Sequence, residues 1–221
     1  MNILSQLILM GQDGGLWLIP ILACAVIAAG IACERLFTIL FRANINATAF
    51  MAQIQKLIMA NNVDRAIKLC NAESKASLPR VVKAGLTRAN RTEKEIENAI
   101  DEATLEVTPK LLARTSYLSM LANIATLLGL LGTIWGLIMA FQAVATAPPE
   151  MKQTMLAGGI SVAMYTTAAG LMVAIPTLVI HAIILARTTK ILDDVDQYGL
   201  KTVNLLTARR KGGAKDAAAQ A

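Results

Sequence analysis

Gly129-Leu130-Leu131-Gly132-Thr133-Ile134-Trp135-Gly136 and Tyr165-Thr166-Thr167-Ala168-Ala169-Gly170-Leu171-Met172-Val173-Ala174-Ile175-Pro176 decide how this chain is read. Each stretch mixes glycine with hydroxyl side chains. Each lies inside a long tract without Asp, Glu, Lys or Arg: Thr115–Pro149, of 35 residues, and Gln153–Ala186, of 34. A shorter uncharged tract runs Gly14–Cys33. About 18 apolar residues suffice for a transmembrane helix. At about 1.5 Å rise per residue each long tract reaches about 50 Å, beyond a hydrocarbon core of about 30 Å. Such helices tilt or continue into water. The expected fold is an all-α membrane protein with three transmembrane helices. Two of them are long and continue into a helical cytoplasmic domain.

Composition agrees. Of 221 residues, 55% are hydrophobic and only 16% charged, against about 25% charged in soluble domains. The net charge of +6 does not point to nucleic acid, because of where the charge lies. No Lys or Arg precedes Arg35, and Lys152 alone lies between the two long tracts. The others flank or fill 35–114 and the tail 187–221. Cytoplasmic loops carry excess Lys and Arg, and Arg35, Arg42, Arg114, Arg187 and Lys190 stand near helix ends. This predicts a periplasmic N-terminus and a cytoplasmic C-terminus. Asp13 and the lack of a basic start argue against a cleaved signal peptide.

The expected organisation is a periplasmic segment 1–15, a first span 16–40, a helical cytoplasmic domain 43–114, a second span 115–145, a periplasmic turn 146–154, a third span 155–187, a cytoplasmic helical extension 188–207 and a disordered basic tail 208–221. In the cytoplasmic domain, Phe50, Ile54, Leu57 and Ile58 share one helix face. Asn62 is read as the cap of a short helix burying Val63, Ala66, Ile67 and Cys70. Val81, Val82 and Leu86 follow, with Gly85 and Asn90 read as helix ends. Thr92 and Glu95 have capping-box spacing. They open a helix with Ile96, Ile100, Ala103, Val107 and Leu111 on one face, expected to run from about 93 to 145 with a bend at Pro109.

Gly129, Gly132 and Gly136 fall on one helix face, as do Gly158, Ser161 and Tyr165, with Gly170 and Ala174 further along. Small residues let membrane helices approach closely, so Gly129, Gly132, Gly136, Gly158, Gly170 and Pro176 are expected in helix packing. Thr133, Ser161, Thr166 and Thr167 either bond back to their own helices or form a polar seam. Glu34 and Arg35 end the first span as interfacial anchors or as a contact with a neighbouring subunit. Neither long tract holds a carboxylate, the usual mark of a proton relay. His181 is the one titratable candidate there, and a packed histidine is the plainer reading. If protons cross, a second protein must supply the acid. No metal-binding cluster, cofactor motif or nucleotide-binding loop is present, and no enzymatic activity is expected.

The chain resembles the ExbB/TolQ (MotA/TolQ/ExbB) proton-channel family. The resemblance rests on Glu34-Arg35, the run Gly129–Gly136, the run Thr167–Pro176 and the three-span layout. It implies a homopentamer around the membrane helices of an ExbD/TolR-like single-span protein that supplies an Asp. It further implies a stator that uses the proton-motive force to energise an outer-membrane or periplasmic process such as transport. A TonB/TolA-like protein is a further implied partner, and the bacterial inner membrane the implied site. Thr133 and Thr167 match the family's pore-facing threonines. ExbB and TolQ usually carry a glutamate five residues before the second of these; here Val162 stands, and Ser161 or Tyr165 is the expected substitute. One charge crossing the membrane releases about 2.3 kcal/mol per 100 mV, so useful work needs several protons. The competing readings are a non-conducting membrane scaffold and a gliding- or flagellar-type stator. Three spans, where a flagellar stator usually has four, count against the last.

Overall fold

The computed structural model describes residues 17–39, 45–73 and 76–219, with side chains to Lys211. The expected periplasmic segment 1–15 lies outside the described residues. Seven helices make up the described residues: α1 (Leu18–Phe37), α2 (Ala47–Met59), α3 (Val63–Ala72), α4 (Ser77–Thr87), α5 (Glu93–Leu112), α6 (Thr115–Thr146) and α7 (Lys152–Ala219). The apolar stretches of α1, α6 and α7 are long enough to cross a membrane. The chain divides into two compact units. One joins the chain through Arg35 to Arg114–Ile183; the other joins Leu36–Ala113 to the chain from Ile184 onward.

The second unit is built on the periodic apolar faces of its short helices. Phe50, Ile54 and Ile58 of α2, Ala66 and Cys70 of α3, and Val81, Val82 and Leu86 of α4 meet Ile96, Ile100, Val107 and Leu111 of α5 in one core. Each fully buried aliphatic side chain contributes about 1.5–3 kcal/mol. Val195, Val203 and Leu206 of α7 complete this core. Asp193 and Asp196 lie exposed on the same stretch, and Asp194 is half-buried.

Capping follows the sequence only in part. Thr92 caps α5: the Glu95 amide donates to its hydroxyl at 3.3 Å, and the hydroxyl donates to the Glu95 carboxylate at 2.7 Å. That bond holds the Glu95 carboxyl below its usual range. Asn62, expected as a cap, makes no side-chain capping bond; its backbone sits in a tight turn with Asn61 left-handed at φ 57°. The side-chain asparagine cap is Asn46, which accepts from the Ala49 amide at 3.2 Å.

Gly85 is not a helix end. It lies buried inside α4, where an added Cβ would sit 2.8 Å from Ile100 Cδ1. The missing side chain lets α4 and α5 close on each other. The expected continuous helix over 93–145 is broken. Pro109 has no amide for the Leu105 carbonyl. The helix ends one turn later, where Ala113 N donates to Pro109 O at 2.9 Å, and Arg114 is left-handed at φ 61°. At the other end, α7 runs on to Ala219, past the expected end at 207.

Burial pushes the Cys70 thiol up to about 11. A free thiol titrates near 8.5, so at neutral pH the native Cys70 holds roughly 300-fold less thiolate. Its alkylation by iodoacetamide, followed on the Cys70 peptide by mass spectrometry, is expected to be slowed by at least that factor until the protein is unfolded. The folded state prefers the protonated thiol, so this contribution is complete below the unfolded pKa and fades as pH rises toward 11.

Candidate functional site

The candidate site lies within the first unit, along the line where α6 meets α7. Leu118, Leu121, Ala122, Ala125, Gly129, Gly132, Gly136 and Ala140 form the buried stripe of α6. Against it α7 presents Ala163, Thr166, Ala169, Gly170 and Ala174, all buried. Lipid offers no hydrophobic drive for helix association, so the pair depends on close backbone contact. A Cβ added at Gly132 would come within 2.7 Å of Thr166 Cβ and Oγ1. One at Gly170 would come within 2.7 Å of the Ala125 carbonyl oxygen, and one at Gly136 within 3.1 Å of Ala163 Cβ. Gly129 faces the backbone of Thr166, Thr167 and Gly170 at 3.1–3.3 Å.

Two residues expected in helix packing make no such contact within this chain. Gly158 is exposed, with nothing within 4 Å of an added Cβ, and its neighbour Gly159 makes the close approach, to Ala140. One residue turns a helix by about 100°, which moves the contact to Gly159. Pro176 is exposed within α7 rather than part of the buried stripe. There its fixed ring leaves the Met172 carbonyl without an in-helix donor.

The hydroxyls divide. Thr167 Oγ1 donates across the seam to the Gly129 carbonyl at 3.3 Å. Thr133 Oγ1 donates to Leu130 O at 2.6 Å and Thr166 Oγ1 to Ala163 O at 2.8 Å, each within its own helix. Thr166 is only 1% exposed: it fills the space above Gly132, packing the seam. Thr133 and Thr167 are partly exposed, and Ser161 and Tyr165 are exposed. Gly132 lies opposite Thr166, and Thr133 and Thr167 are the next residues in each helix. With a rise of about 1.5 Å per residue, their hydroxyls flank the seam within about 3 Å of the same depth.

Val162 lies on the wall of an apolar cavity of about 560 Å³ lined also by Trp17, Trp135, Met139 and Met155. Trp17 and Trp135 pack edge to face there, centroids 6.2 Å apart at 61°. A carboxylate at position 162 would face this apolar surface, where desolvation raises a carboxyl pKa. Valine suits the wall as it stands.

At the other end of this unit, the Arg114 guanidinium donates to both Glu34 oxygens, at 2.7 and 2.8 Å. Sequence reasoning placed Glu34 at the interface but missed this partner, since no spacing rule links residues 80 apart. Arg35 is buried, its Nε without a hydrogen-bond partner. Both members of the Glu34–Arg114 pair are about half exposed, so solvent screening limits its worth. A double-mutant cycle with Glu34→Gln and Arg114→Gln is expected to give a coupling below about 1 kcal/mol in denaturant unfolding.

A family model described as the MotA/TolQ/ExbB proton channel family matches residues 73–197. The biopolymer transport protein exbB1 of Vibrio cholerae serotype O1 is 31% identical over 168 residues, covering 76% of this chain and 74% of that protein. A putative ExbB-like biopolymer transport protein of Synechocystis sp. is 29% identical over 168 residues, 75% of this chain and 78% of its own. The Tol-Pal system protein TolQ of Haemophilus influenzae is 34% identical over 85 residues, 38% of this chain and 37% of that protein. A chain of the C. jejuni MotAB structure shares the fold, with a TM-score of 0.56 at 18% identity over 90% of this chain and 76% of that one.

Proposed function

This chain belongs to the MotA/TolQ/ExbB proton channel family, and we propose that it is the proton-conducting stator subunit of an inner-membrane motor complex. The observation that carries the proposal is a seam with hydroxyls and no acid. Thr133 and Thr167 flank closely packed helices at nearly one depth, while neither Thr115–Pro149 nor Gln153–Ala186 holds a carboxylate. A neutral hydroxyl orients water and lowers the barrier to a passing proton without trapping it. A site built this way needs an acid from elsewhere. The family resemblance supports an ExbD/TolR-like single-span protein whose Asp enters a homopentamer of this chain. It also supports a periplasmic N-terminus, with the proton-motive force energising an outer-membrane or periplasmic process such as transport, through a TonB/TolA-like protein. Tyr165 and Ser161 stand exposed near Val162 in sequence, as partner-facing groups.

The rival, a non-conducting scaffold, has one observation in its favour: the apolar cavity beside Val162. Proton flux separates the two. The full-length chain, co-purified with its single-span partner and reconstituted in liposomes, is expected to acidify the lumen when a potassium diffusion potential is imposed. A complex that assembles yet leaves the lumen pH at the level of empty liposomes is a scaffold.

A further inference from the structure

The second unit holds a cavity of about 380 Å³ that the seam does not use. Ile39, the start of α2 at Asn46 and Thr48, and the α7 residues Arg187, Lys190 and Asp194 line it. Arg187 is the first charged residue after the uncharged tract Gln153–Ala186, and α1 ends at Phe37. Both walls thus leave the apolar stretches at this cavity, at the water boundary of the membrane. Arg187 and Lys190, three residues apart, fall on one face of α7. Among the described residues neither is paired with a carboxylate in a salt bridge. Asn46, Ala47 and Thr48, at the start of α2, line the same space. The cavity therefore gathers two cations beside the apolar stretches.

We propose that this cavity binds the phosphodiester headgroup of an anionic phospholipid from the cytoplasmic leaflet. An Arg and a Lys side by side suit a phosphate, the guanidinium through paired N–H donors and the ammonium as a point charge. Basic pockets at this level of a membrane protein are fitted to acidic headgroups. Asp194 sharpens the class. It lies seven residues, about 10 Å, beyond Arg187 along α7, and its carboxylate repels a free dianion that fills the cavity. It accepts hydrogen bonds from a headgroup hydroxyl held beyond the phosphate. A singly charged phosphodiester with a hydroxylated head, such as phosphatidylglycerol, meets both ends; inorganic phosphate meets one.

The test is native mass spectrometry of the full-length protein released from detergent micelles, titrated with phosphatidylglycerol or phosphatidylcholine. Wild type is expected to retain phosphatidylglycerol at least about tenfold better, from about two neutralising side chains near the surface. Arg187→Gln with Lys190→Gln is expected to bring it to the phosphatidylcholine level. Each single change falls between, and Arg187→Lys keeps the preference. Lys68→Gln with Lys94→Gln removes the same charge from exposed positions elsewhere in this unit and is expected to leave retention unchanged. Equal retention of the two lipids by wild type overturns the proposal, and that comparison needs no variant to fold. Equal loss in the Lys68/Lys94 control overturns the site in favour of general surface charge. Displacement of the lipid by millimolar inorganic phosphate overturns the lipid as the ligand and leaves a free-anion site.

Discussion

Thr167→Val and Thr133→Val each cut proton flux through the assembled complex by about 10- to 100-fold. A hydrogen bond to a charged group is worth about 1.5–3 kcal/mol, and each 1.4 kcal/mol added to a barrier is a tenfold loss of rate. Valine keeps the volume and the β-branch of threonine, so the helix pair stays closed while the hydroxyl goes. Thr167 carries the larger expected effect, because its hydroxyl also bonds across to the Gly129 carbonyl at 3.3 Å. Serine at either position restores a hydroxyl and is expected to recover most of the flux. Thr166→Val is the internal control. Thr166 is buried against Gly132 and bonded to its own helix, so its loss leaves flux within about threefold of wild type on the same reasoning. Initial rates of lumen acidification, normalised to reconstituted protein, read all five variants. Equal losses at 133, 166 and 167 point to a packing effect and remove the two threonines from the path.

The second large effect is on assembly of the seam. Gly132→Ala and Gly170→Ala each place a Cβ within 2.7 Å of fixed atoms: a β-branched side chain in the first case and a backbone carbonyl in the second. Neither neighbour rotates away, so α6 and α7 must separate. Overpacking of this kind costs about 1–3 kcal/mol, and leucine or valine at either position costs more. The comparison set is built in. Gly30 and Gly158 have nothing within 4 Å of an added Cβ, and alanine is the better helix former. Gly30→Ala and Gly158→Ala are therefore expected to be neutral within about 0.5 kcal/mol or slightly stabilising. Thermal unfolding in detergent, read by loss of the monodisperse species, ranks the four. Similar losses at 158 and 132 contradict the seam.

The pattern of the sequence carried the apolar stretches and the core of the second unit for a plain reason. Long uncharged tracts and the 3.6-residue recurrence of Phe50, Ile54 and Ile58 or of Ile96, Ile100 and Val107 are local signals, and local signals survive without knowledge of the fold. Errors arose where the outcome depends on a partner across space. Gly158 and Gly159 are adjacent and alike in sequence, and only the position of Ala140 selects between them. Gly85 looks like a helix end until Ile100 lies over it. Four hydroxyls looked equivalent as a seam; the facing helix buries Thr166 and leaves Thr133 and Thr167 partly open. The Glu34–Arg114 pair and the cavity at Arg187 and Lys190 bring together residues far apart in the chain, beyond the reach of any spacing rule. The break at Arg114 is a case between: Pro109 gave warning of a disturbance, but the left-handed residue came five positions later.

We propose that this chain supplies the hydroxyl wall and that another protein supplies the acid. The most direct measurement is potential-driven proton uptake by liposomes holding this full-length chain alone, compared with liposomes holding it together with its single-span partner. Uptake only in the presence of the partner, abolished when the partner's membrane aspartate is changed to asparagine, is the predicted result. Uptake by this chain alone at the rate of the complex contradicts it.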